Sequence, residues 1–462
     1  MTNSSPHSRW RILLAGFFLS VSVSLPPWVA LGADVRDAVR ARLAQEYSSL
    51  DSLYKHLHAH PELSLQEKET AKRIGDELEQ AGLQVTRGVG RTGVVGVLRN
   101  GAGPTVLVRT DLDALPVKEQ TGLPYASAVQ AKDEKGETVS VMHACGHDVH
   151  MTVFVGTARL LAQLKNRWQG TLVMIGQPAE ERGKGARGML ADGLFTRFPK
   201  PDYCLALHAS ANLPSGSVGY VEGFAMANVD SVNVTIRGVG GHGAWPHTTK
   251  DPIVLAAQTI LALQTIVSRE TAPGDPAVVT VGSIHGGTKH NIIPDEVKLQ
   301  LTLRSYTDEV RKHTLDSIHR ITRGLAAAAG LPEDKYPLVT LEDEFTPATY
   351  NNPELTRRAV AAIKRWIGDA NVLAQKPVMG GEDFGEYGRT QDKIPVCLLW
   401  LGAVAPETYK EHLSGAKALP SLHSAHFAPV PEPTIKTGVT AMTAAVLDLF
   451  GQGASRQVLG NQ

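Results

Sequence analysis

The chain of 462 residues lacks several features that would point to particular classes of protein. It has no excess of charge, because 46 Lys and Arg residues balance 46 Asp and Glu residues. A nucleic-acid-binding surface normally needs clustered excess basic side chains, so we expect no nucleic-acid partner. Charged residues make up 20% and hydrophobic residues 42% of the chain, which is an ordinary composition for a folded protein with a sizeable core.

The apolar run near the N-terminus, Ile12 to Leu25, is shorter than the roughly 20 residues that a membrane-spanning helix needs. Two arginines, Arg9 and Arg11, precede it and small residues around Ala30 follow it, an order typical of a secretory signal peptide. We therefore expect residues 1–32 to be a signal peptide and the mature protein to be periplasmic or secreted. The alternative is an uncleaved signal, which would be the protein's only contact with a membrane.

Only three cysteines are present, and their surroundings differ. Cys204 and Cys397 lie in apolar runs, where a buried thiol usually acts as a small hydrophobic side chain. A disulfide between these two remains an alternative, because export would bring the chain into an oxidising compartment. Cys145 lies between His143 and His147 beside a glycine, and it is the cysteine whose surroundings suggest chemistry.

Short runs rich in Val, Ile and Leu alternate with longer helical patterns such as 36–57, 65–81 and 149–164. The apolar runs show no polar alternation, which predicts strands buried on both faces and hence an α/β domain with a mostly parallel sheet. These runs are Val94 to Leu98, Thr105 to Val108, Thr171 to Ile175, Tyr203 to Leu207 and Val396 to Leu401.

The middle of the chain follows a different pattern, because apolar and polar residues alternate there as in half-solvated strands. Asp251-Pro252 and Thr307 are N-terminal helix signals. The resulting order β-α-β-β-α-β is ferredoxin-like. We therefore predict an inserted α+β domain over residues 225–342 within a discontinuous α/β domain formed by 34–224 and 343–450. The inserted strands are expected at 232–236, 277–284, 297–303 and 338–341, and the helices at 251–267 and 307–328.

Polar side chains follow three of the predicted buried strands, at the edge where open α/β sheets bind ligands. They are Asp111 and Asp113, the pair Glu180 and Glu181, and His208. Neighbouring side chains at a strand end diverge, so one glutamate of the pair can bind a metal while the other faces the cleft as a base. The alternative for such a pair is a solvated acidic surface.

Cys145 and His147 stand two residues apart in a glycine-containing turn, so a thiolate and an imidazole can point at one centre. Asp148 can orient an imidazole from behind. His423 adds a further candidate ligand near the C-terminus, although a lone histidine is usually a structural side chain. Five ligands exceed what one tetrahedral zinc uses, so two metals with a shared ligand fit better. The donor set is Cys145, His147, Glu181, His208 and His423.

Seven segments occur in the order found in the aminoacylase and carboxypeptidase family of di-metal peptidases. The chain resembles the N-acyl amino acid amidohydrolase branch of that family, which includes hippurate hydrolase and auxin-conjugate hydrolases, from about Tyr54 to His423. The segments are His60-Pro-Glu-Leu63, Arg109-Thr-Asp-Leu-Asp-Ala-Leu-Pro116, Met142-His-Ala-Cys-Gly-His-Asp148, Gln177-Pro-Ala-Glu-Glu181, Gly240-Gly-His-Gly-Ala-Trp-Pro-His247, Gly286-Gly-Thr-Lys-His-Asn-Ile-Ile-Pro-Asp-Glu296 and Met379-Gly-Gly-Glu-Asp-Phe384.

The resemblance implies that the donor set binds two divalent cations and that Glu180 is the general base. It implies that the inserted domain is a lid and a dimerisation surface, so a homodimer is expected. It also implies that His242 on the lid polarises the scissile carbonyl or stabilises its oxyanion, and that Asn291 and Gly381 lie near the substrate. Arg304 is a candidate for the substrate carboxylate, with a solvated surface arginine as the alternative. Asp111, Asp113 and Asp148 are expected behind the ligands.

The resemblance implies hydrolysis of the amide bond of N-acyl amino acids, which releases a carboxylic acid and a free amino acid. Thiolate and imidazole ligands favour zinc, and manganese, cobalt or nickel are alternatives. A metallo-carboxypeptidase or dipeptidase acting on short peptides is a second possibility for the reaction. Two further alternatives are Cys145 acting as a nucleophile with a histidine and an exported binding protein that retains the fold without catalysis.

Overall fold

The computed structural model describes residues 1–3, 27–343 and 345–458. Most of the expected signal peptide lies outside the described residues, so its cleavage stays a prediction. The helices are α1 Pro27–Ala59, α2 Lys68–Gln80, α3 His147–Gln163, α4 Gly185–Ala191, α5 Leu194–Arg197, α6 Pro252–Thr265, α7 Asp308–Ala328, α8 Pro353–Ile367, α9 Glu386–Arg389, α10 Pro406–Leu413 and α11 Pro431–Val458.

The strands form two principal sheets and several short ribbons. They are β1 Gln84–Val89, β2 Gly93–Asn100, β3 Thr105–Asp111, β4 Gln130–Lys132, β5 Thr138–Ser140, β6 Gly170–Gln177, β7 Tyr203–Pro214, β8 Val218–Tyr220, β9 Gly223–Met226, β10 Asn228–Arg237, β11 Gly241–His242, β12 Ala277–Gly286, β13 Ile292–Ile293, β14 Glu296–Ser305, β15 Leu338–Leu341, β16 Thr349–Asn351, β17 Val372–Ala374 and β18 Val396–Val404.

The larger sheet has eight strands in the order β1-β2-β6-β3-β7-β18-β8-β17. Its centre, from β6 through β3 and β7 to β18, is parallel, which confirms the predicted mostly parallel sheet. Antiparallel pairs lie towards the edges, between β1 and β2, β2 and β6, and β18 and β8. The apolar runs lack polar alternation because both faces of this sheet are covered. Leu50 of α1 and Val439 of α11 belong to the core on one face, and Met189 of α4 and Tyr387 of α9 to the core on the other.

The smaller sheet has four antiparallel strands in the order β12-β14-β10-β15. Along the chain, α6 follows β10 and α7 follows β14, so residues 228–341 have the predicted ferredoxin-like order β-α-β-β-α-β. We call residues 228–341 the inserted unit. Leu255 of α6 and Ile318 of α7 pack into its core with alternate residues of β10 and β14. Among the described residues, Pro252–Glu270 is the one helical segment apolar and long enough to cross a membrane, and its buried side chains pack in this core.

The strand register explains why the disulfide alternative is wrong. In the parallel pair of β7 and β18, Cys204 lies opposite Val396 and Cys397 lies opposite Leu205. Successive side chains of a strand point to opposite faces, so the two thiols enter different cores. Both, like Cys145, are buried free thiols.

Candidate metal and catalytic centre

The candidate site lies at the carboxyl edge of the parallel strands, as the position of the polar residues predicted. Asp111 ends β3, Glu180 and Glu181 follow β6 in a short 3-10 turn, and His208 lies within β7. His147 begins α3, so its side chain enters the same edge from the helix end. Chain segments that are far apart in sequence therefore meet at one place.

The structure brings the predicted donor set together. The Cys145 Sγ atom is 3.5 Å from His208 Nε2 and 3.3 Å from His423 Nε2. The Glu181 Oε1 atom is 3.5 Å from His423 Nε2 and 3.8 Å from His147 Nε2. Sulfur, nitrogen and oxygen donors thus face one shared centre, and overlapping subsets of them have donor atoms within 4.8 Å of one another.

Two of the imidazoles are held in one orientation by backbone carbonyls. His147 Nδ1 donates to the carbonyl oxygen of Asp113 at 2.8 Å, and His208 Nδ1 donates to that of Ala209 at 2.8 Å. Because the proton is on Nδ1, the Nε2 lone pair of each ring faces the shared centre. This is the arrangement that a metal-binding histidine requires.

Unpaired buried atoms show that the site fits divalent cations. His147 Nε2, Glu181 Oε1 and Asp113 Oδ1 are buried without a hydrogen-bond partner among the described residues. Buried polar atoms are normally paired, and two of these three, His147 Nε2 and Glu181 Oε1, belong to the donor set. Burial, together with Glu181 and Glu180, raises the pKa of Cys145, and burial raises the pKa of Glu181 to about 7. Cations would balance this negative charge and favour the thiolate and the carboxylate.

Glu180 is a buried carboxylate in the wall of a cavity. Its side chain is buried, and its Oε2 atom is 3.9 Å from His147 Nε2. Burial, Glu382 and Glu181 raise the pKa of its carboxyl well above the ordinary value. It also lines a cavity of about 370 Å³ that reaches the donor set, a volume in the range of small-molecule sites.

Two other predicted residues, Arg304 and Gly381, line the same cavity. Arg304 donates to Thr302 Oγ1 and to the carbonyl oxygen of Leu303, and it forms no ion pair among the described residues. The carboxylate that acts on its charge is that of Asp230, whose two oxygens are already bonded to Arg311. A Cβ atom on Gly381 would come within 2.4 Å of Val229 Cγ2, so only glycine lets the backbone pass this wall unchanged.

His242 and Asn291 lie together on the inserted unit and do not line the cavity. The amide of Gly243 donates to the Asn291 carbonyl oxygen at 2.9 Å, beside the short pairing of β11 and β13. Both predicted residues are exposed. The exposed indole of Trp245 is the ring neighbour of His242, with 4.9 Å between the ring centroids.

The three aspartates expected behind the ligands have different partners. Asp113 accepts hydrogen bonds through Oδ2 from Ser64 Oγ and from the amide of Glu181, at 2.6 and 3.0 Å. Asp111 accepts from Arg109 Nη1 at 2.8 Å and has a carboxylate oxygen 3.6 Å from His147 Nε2. Asp148 does not orient an imidazole of the donor set.

The imidazole that Asp148 contacts is that of His58, whose Nδ1 lies 2.6 Å from its carboxylate. His58 Nε2 lies 3.0 Å from Glu119, so this buried ring bridges two carboxylates away from the cavity. His58 lies just beyond the helical pattern predicted at 36–57, in the last turn of the observed α1, and no signal in the sequence identifies its partners. Sequence reasoning therefore missed this contact.

Two further buried groups were also missed. His150 Nδ1 donates to Asp111 at 2.7 Å and its Nε2 accepts from the amide of Ala209 at 2.7 Å, so neither nitrogen is free for a metal. Arg109 donates to Glu382 at 2.8 Å and lies 3.3 Å from Asp383. The signal for the second group was present, because these residues belong to two of the seven segments, but their spacing does not show that they touch.

Comparison with known proteins agrees with this geometry. Residues 107–428 match the family model described as Peptidase family M20/M25/M40. Hippurate hydrolase of Campylobacter jejuni is 37% identical over 342 residues, 73% of this chain and 84% of that protein. Thermostable carboxypeptidase 1 of Saccharolobus solfataricus is 37% identical over 353 residues, 75% of this chain and 84% of that protein.

A solved structure supports the same conclusion. The structure of a dinuclear metal-binding peptidase of Bacillus subtilis, from the M20 family, is 29% identical and superposes with a TM-score of 0.71. The match covers 88% of this chain and 99% of that one. The chain therefore belongs to peptidase family M20/M25/M40, and it is a metal-binding enzyme that hydrolyses amide bonds.

Proposed function

We propose that this enzyme hydrolyses the amide bond of N-acyl amino acids, with two divalent cations held by the donor set. One observation carries the proposal. A buried carboxylate, Glu180, stands beside a thiol–imidazole–carboxylate centre in the same cavity that Arg304 lines with an unpaired charge. The hippurate hydrolase of C. jejuni is named for cleaving such a substrate.

In the proposed reaction the cations and Glu180 have different roles. When bound, the cations would polarise the scissile carbonyl and acidify a water molecule. Glu180 accepts the proton of the attacking water, and it returns that proton to the nitrogen of the leaving amino acid. Glu180 is placed for both steps because it lines the cavity beside the donor set.

Arg304 and Gly381 would hold the rest of the substrate. The amino acid product has a carboxylate, and Arg304 has the guanidinium group that binds a carboxylate through charge-assisted hydrogen bonds. Met226 and Val229 add apolar wall to the same cavity and can contact a hydrophobic part of the substrate. We therefore propose that the cavity recognises a substrate with a carboxylate at one end and an apolar group at the other.

The inserted unit would act as a lid and as a dimer surface, with domain limits at residues 225–342. His242 and Asn291 would reach the substrate only after closure, or from a second copy of the chain, because both are outside the cavity. Val254 and Leu261 of α6 leave 55% and 73% of their surface exposed. Such an apolar helix face supports a homodimer through the inserted unit.

Zinc is our proposal for the metal, because one thiolate and three imidazoles outnumber the single carboxylate of the donor set. Manganese, cobalt or nickel would suit a site whose carboxylates bind more strongly. Export to the periplasm or the medium is proposed from the order of the first 32 residues. Sequencing the N-terminus of the mature protein tests that part separately.

The experiment for the reaction is a substrate panel assayed with metal-replete protein. N-acetyl and N-benzoyl amino acids are compared with dipeptides by mass spectrometry, and metal content is measured on the same sample. Turnover of the acyl amino acids and a metal-to-chain ratio near two are expected. Faster turnover of dipeptides would favour the second candidate, a carboxypeptidase-like activity for which the S. solfataricus relative is named.

The two remaining alternatives have less support. A nucleophilic Cys145 needs a reactive thiolate, but burial raises the pKa of this thiol and its sulfur faces the ligand imidazoles. Activity that survives a strong chelator would nevertheless establish it. A binding protein without catalysis would not need the buried general base, and tight substrate binding without product by metal-replete protein would indicate that case.

A further inference from the structure

The buried carboxylate of Glu67 lies outside the donor set and has no role in the reaction described above. It precedes α2, more than a hundred residues before the catalytic turn, and it has 0% of its surface exposed. Its three hydrogen-bond partners belong to three different segments of the chain. Oε1 accepts from the amides of Leu65 and Ala179, at 2.7 and 2.9 Å, and Oε2 accepts from Thr92 Oγ1 at 2.7 Å.

All three segments contain a left-handed residue that is not glycine. Leu65 has a φ of 68°, Ala179 has a φ of 49°, and Arg91, next to Thr92, has a φ of 86°. Side chains make this backbone conformation unfavourable, so it persists only where the surroundings fix it. Only two other described non-glycine residues have a positive φ, Lys393 and His423. Glu67 therefore accepts hydrogen bonds from three of the five segments that contain a left-handed residue other than glycine.

Ala179 is the residue that immediately precedes Glu180 and Glu181. Its left-handed conformation starts the 3-10 turn that carries both glutamates, and Gly183 closes that turn with a hydrogen bond to the Glu180 carbonyl oxygen. The direction of both side chains depends on how the Ala179 peptide is held. A small displacement of a reacting group can lower turnover by about 10²-fold.

We propose that Glu67 is a positioning residue of the hydrolytic site, which fixes the Ala179 peptide and thereby directs Glu180 towards the substrate and Glu181 towards the metals. This role rests on the proposed function. The same loop supports the neighbouring ligand as well, because Ser64 donates to Asp113, which in turn accepts from the amide of Glu181. Glu67 is not a catalytic residue, since it contacts neither the cavity nor the donor set.

The chemistry of the contacts predicts which replacement is tolerated. All three partners of Glu67 are donors, and the hydroxyl of Thr92 can also accept. Glutamine keeps one oxygen for the two amides and can donate its NH₂ group to Thr92. Burial and the nearby Asp113 already raise the pKa of Glu67, so a neutral side chain suits the site. Alanine removes all three hydrogen bonds.

The test compares Glu67→Ala and Glu67→Gln with a matched control, Glu62→Ala. Glu62 lies in the same loop, but its carboxylate accepts from the amides of Glu69 and Thr70 at the start of α2. We expect kcat to fall about 10²-fold in Glu67→Ala with KM within threefold, and to stay within about fivefold in Glu67→Gln. Glu62→Ala should lower Tm and leave kcat unchanged. A Glu67→Gln variant as slow as Glu67→Ala, or a control equally slow, would overturn the proposal.

A double variant tests the strained peptide itself. Glycine adopts the left-handed conformation without a penalty, so Ala179→Gly in the Glu67→Ala background should recover kcat about fivefold or more. If Glu67→Ala does not fold, Thr92→Val replaces it, since it removes one contact and should lower kcat about threefold to tenfold. No recovery by glycine, together with an unchanged kcat in Thr92→Val, would overturn the proposal.

Metal titration separates this proposal from the proposed function. Calorimetry with Zn²⁺ alone, on metal-stripped protein, should show about 10- to 100-fold weaker binding in Glu67→Ala and no change in Glu62→Ala, since Glu181 depends on the same turn. This result does not depend on any substrate. If the wild-type protein cleaves no acyl amino acid, the proposed function fails while the titration still tests Glu67; equal Zn²⁺ affinity in all variants would overturn Glu67 itself.

Discussion

The two sheets of this enzyme carry predicted site residues in very different states. At the edge of the eight-stranded sheet, Cys145, His147 and His208 are buried and already directed at one centre. On the inserted unit, His242 and Asn291 are exposed and lie outside the cavity. Three of the five proposed ligands are therefore held in the core, whereas His423 leaves 54% of its side chain exposed. The substrate role that we propose for His242 and Asn291 requires a movement or a second copy of the chain that brings them to the cavity.

Arg304 is the exception on the inserted unit, because it lies on β14 and lines the cavity directly. A strand position fixes its direction through the register with β10, where Arg304 lies opposite Val229. His242 and Asn291 lie on short two-residue strands and their loops instead. Of the three residues proposed to contact the substrate from the inserted unit, the one on the four-stranded sheet lines the cavity and the two beside the short β11–β13 ribbon do not.

The largest effect is expected from the buried half, with Glu180→Gln. Turnover should fall about 10²- to 10⁴-fold, because the amide cannot accept the proton of the attacking water. Metal content, measured by elemental analysis, should remain that of the wild type. Glu181→Gln is the matched control, since it changes the neighbouring carboxylate and should lose metal. An active Glu180→Gln enzyme would show that Glu180 is not the general base.

The second test addresses the exposed half with His242→Ala. Loss of an oxyanion donor commonly lowers kcat by about 10²- to 10³-fold, and Tm should not change because the side chain is exposed. His247 is a histidine of the same segment that is also exposed, and His247→Ala serves as the control. An unchanged kcat in His242→Ala would show that the inserted unit contributes no such donor.

Mixing two inactive variants distinguishes closure from help by a second copy. Equal amounts of His242→Ala and Glu180→Gln are combined under conditions that exchange subunits. If His242 acts across a dimer, mixed dimers hold one intact site, and about a quarter of the wild-type activity should return on random pairing. If His242 acts within its own chain, the mixture should stay inactive.

Much of this architecture could be predicted from the sequence because its signals are local. Unbroken apolar runs identified β3, β6 and β7, which are buried on both faces, and the strand β15 was predicted with its observed limits, Leu338–Leu341. Helix α1 begins at Pro27, earlier than the start at 36 that periodicity indicated.

The partners of buried charges were not predictable, because they depend on contacts between distant segments. Asp148 was expected to orient a metal ligand and instead contacts His58. Glu67 gave no signal in the sequence, since a glutamate before a helix is usually exposed. The geometry of His242 relative to the cavity is likewise a property of how two sheets are arranged, which no motif encodes.

The third test asks whether Arg304 is the fixed part of substrate recognition. Arg304→Leu should raise KM for N-acyl amino acids about 10- to 100-fold, since a hydrogen-bonded charge pair contributes about 1.5–3 kcal/mol. The same substrates with an amidated carboxyl group provide the control. They should bind the wild type and Arg304→Leu equally weakly. If KM does not change with either substrate, Arg304 does not bind the substrate carboxylate, and the alternative of a solvated surface arginine is favoured.

The smallest expected effect is on stability: the free energy of unfolding should depend on pH through His58, which packs beside the large sheet, and not through a histidine of the inserted unit. Burial alone would lower the pKa of His58, but hydrogen bonds with Asp148 and Glu119 outweigh it and raise the pKa to about 10. The folded-state pKa lies above the unfolded value of about 6.5. The contribution of His58 is therefore fully present below pH 6.5 and is lost as the pH rises to 10. The carboxylates, whose pKa values are lowered, contribute above their ordinary range instead.

Denaturant unfolding from pH 6.5 to 9.5 measures this term. The free energy of unfolding should fall by at most about 1.4 kcal/mol per pH unit through His58. His58→Gln should remove that contribution, although it is less stable throughout, and should leave the contribution of His147, whose pKa is also raised to about 10. His313→Gln is the control, because this half-exposed histidine lies on α7 of the inserted unit. The slope should become smaller only in His58→Gln, since only this variant breaks the buried bridge between Asp148 and Glu119. Equal slopes in all three proteins would mean that His58 is neutral in the folded state, and that its two carboxylates are held by hydrogen bonds without charge.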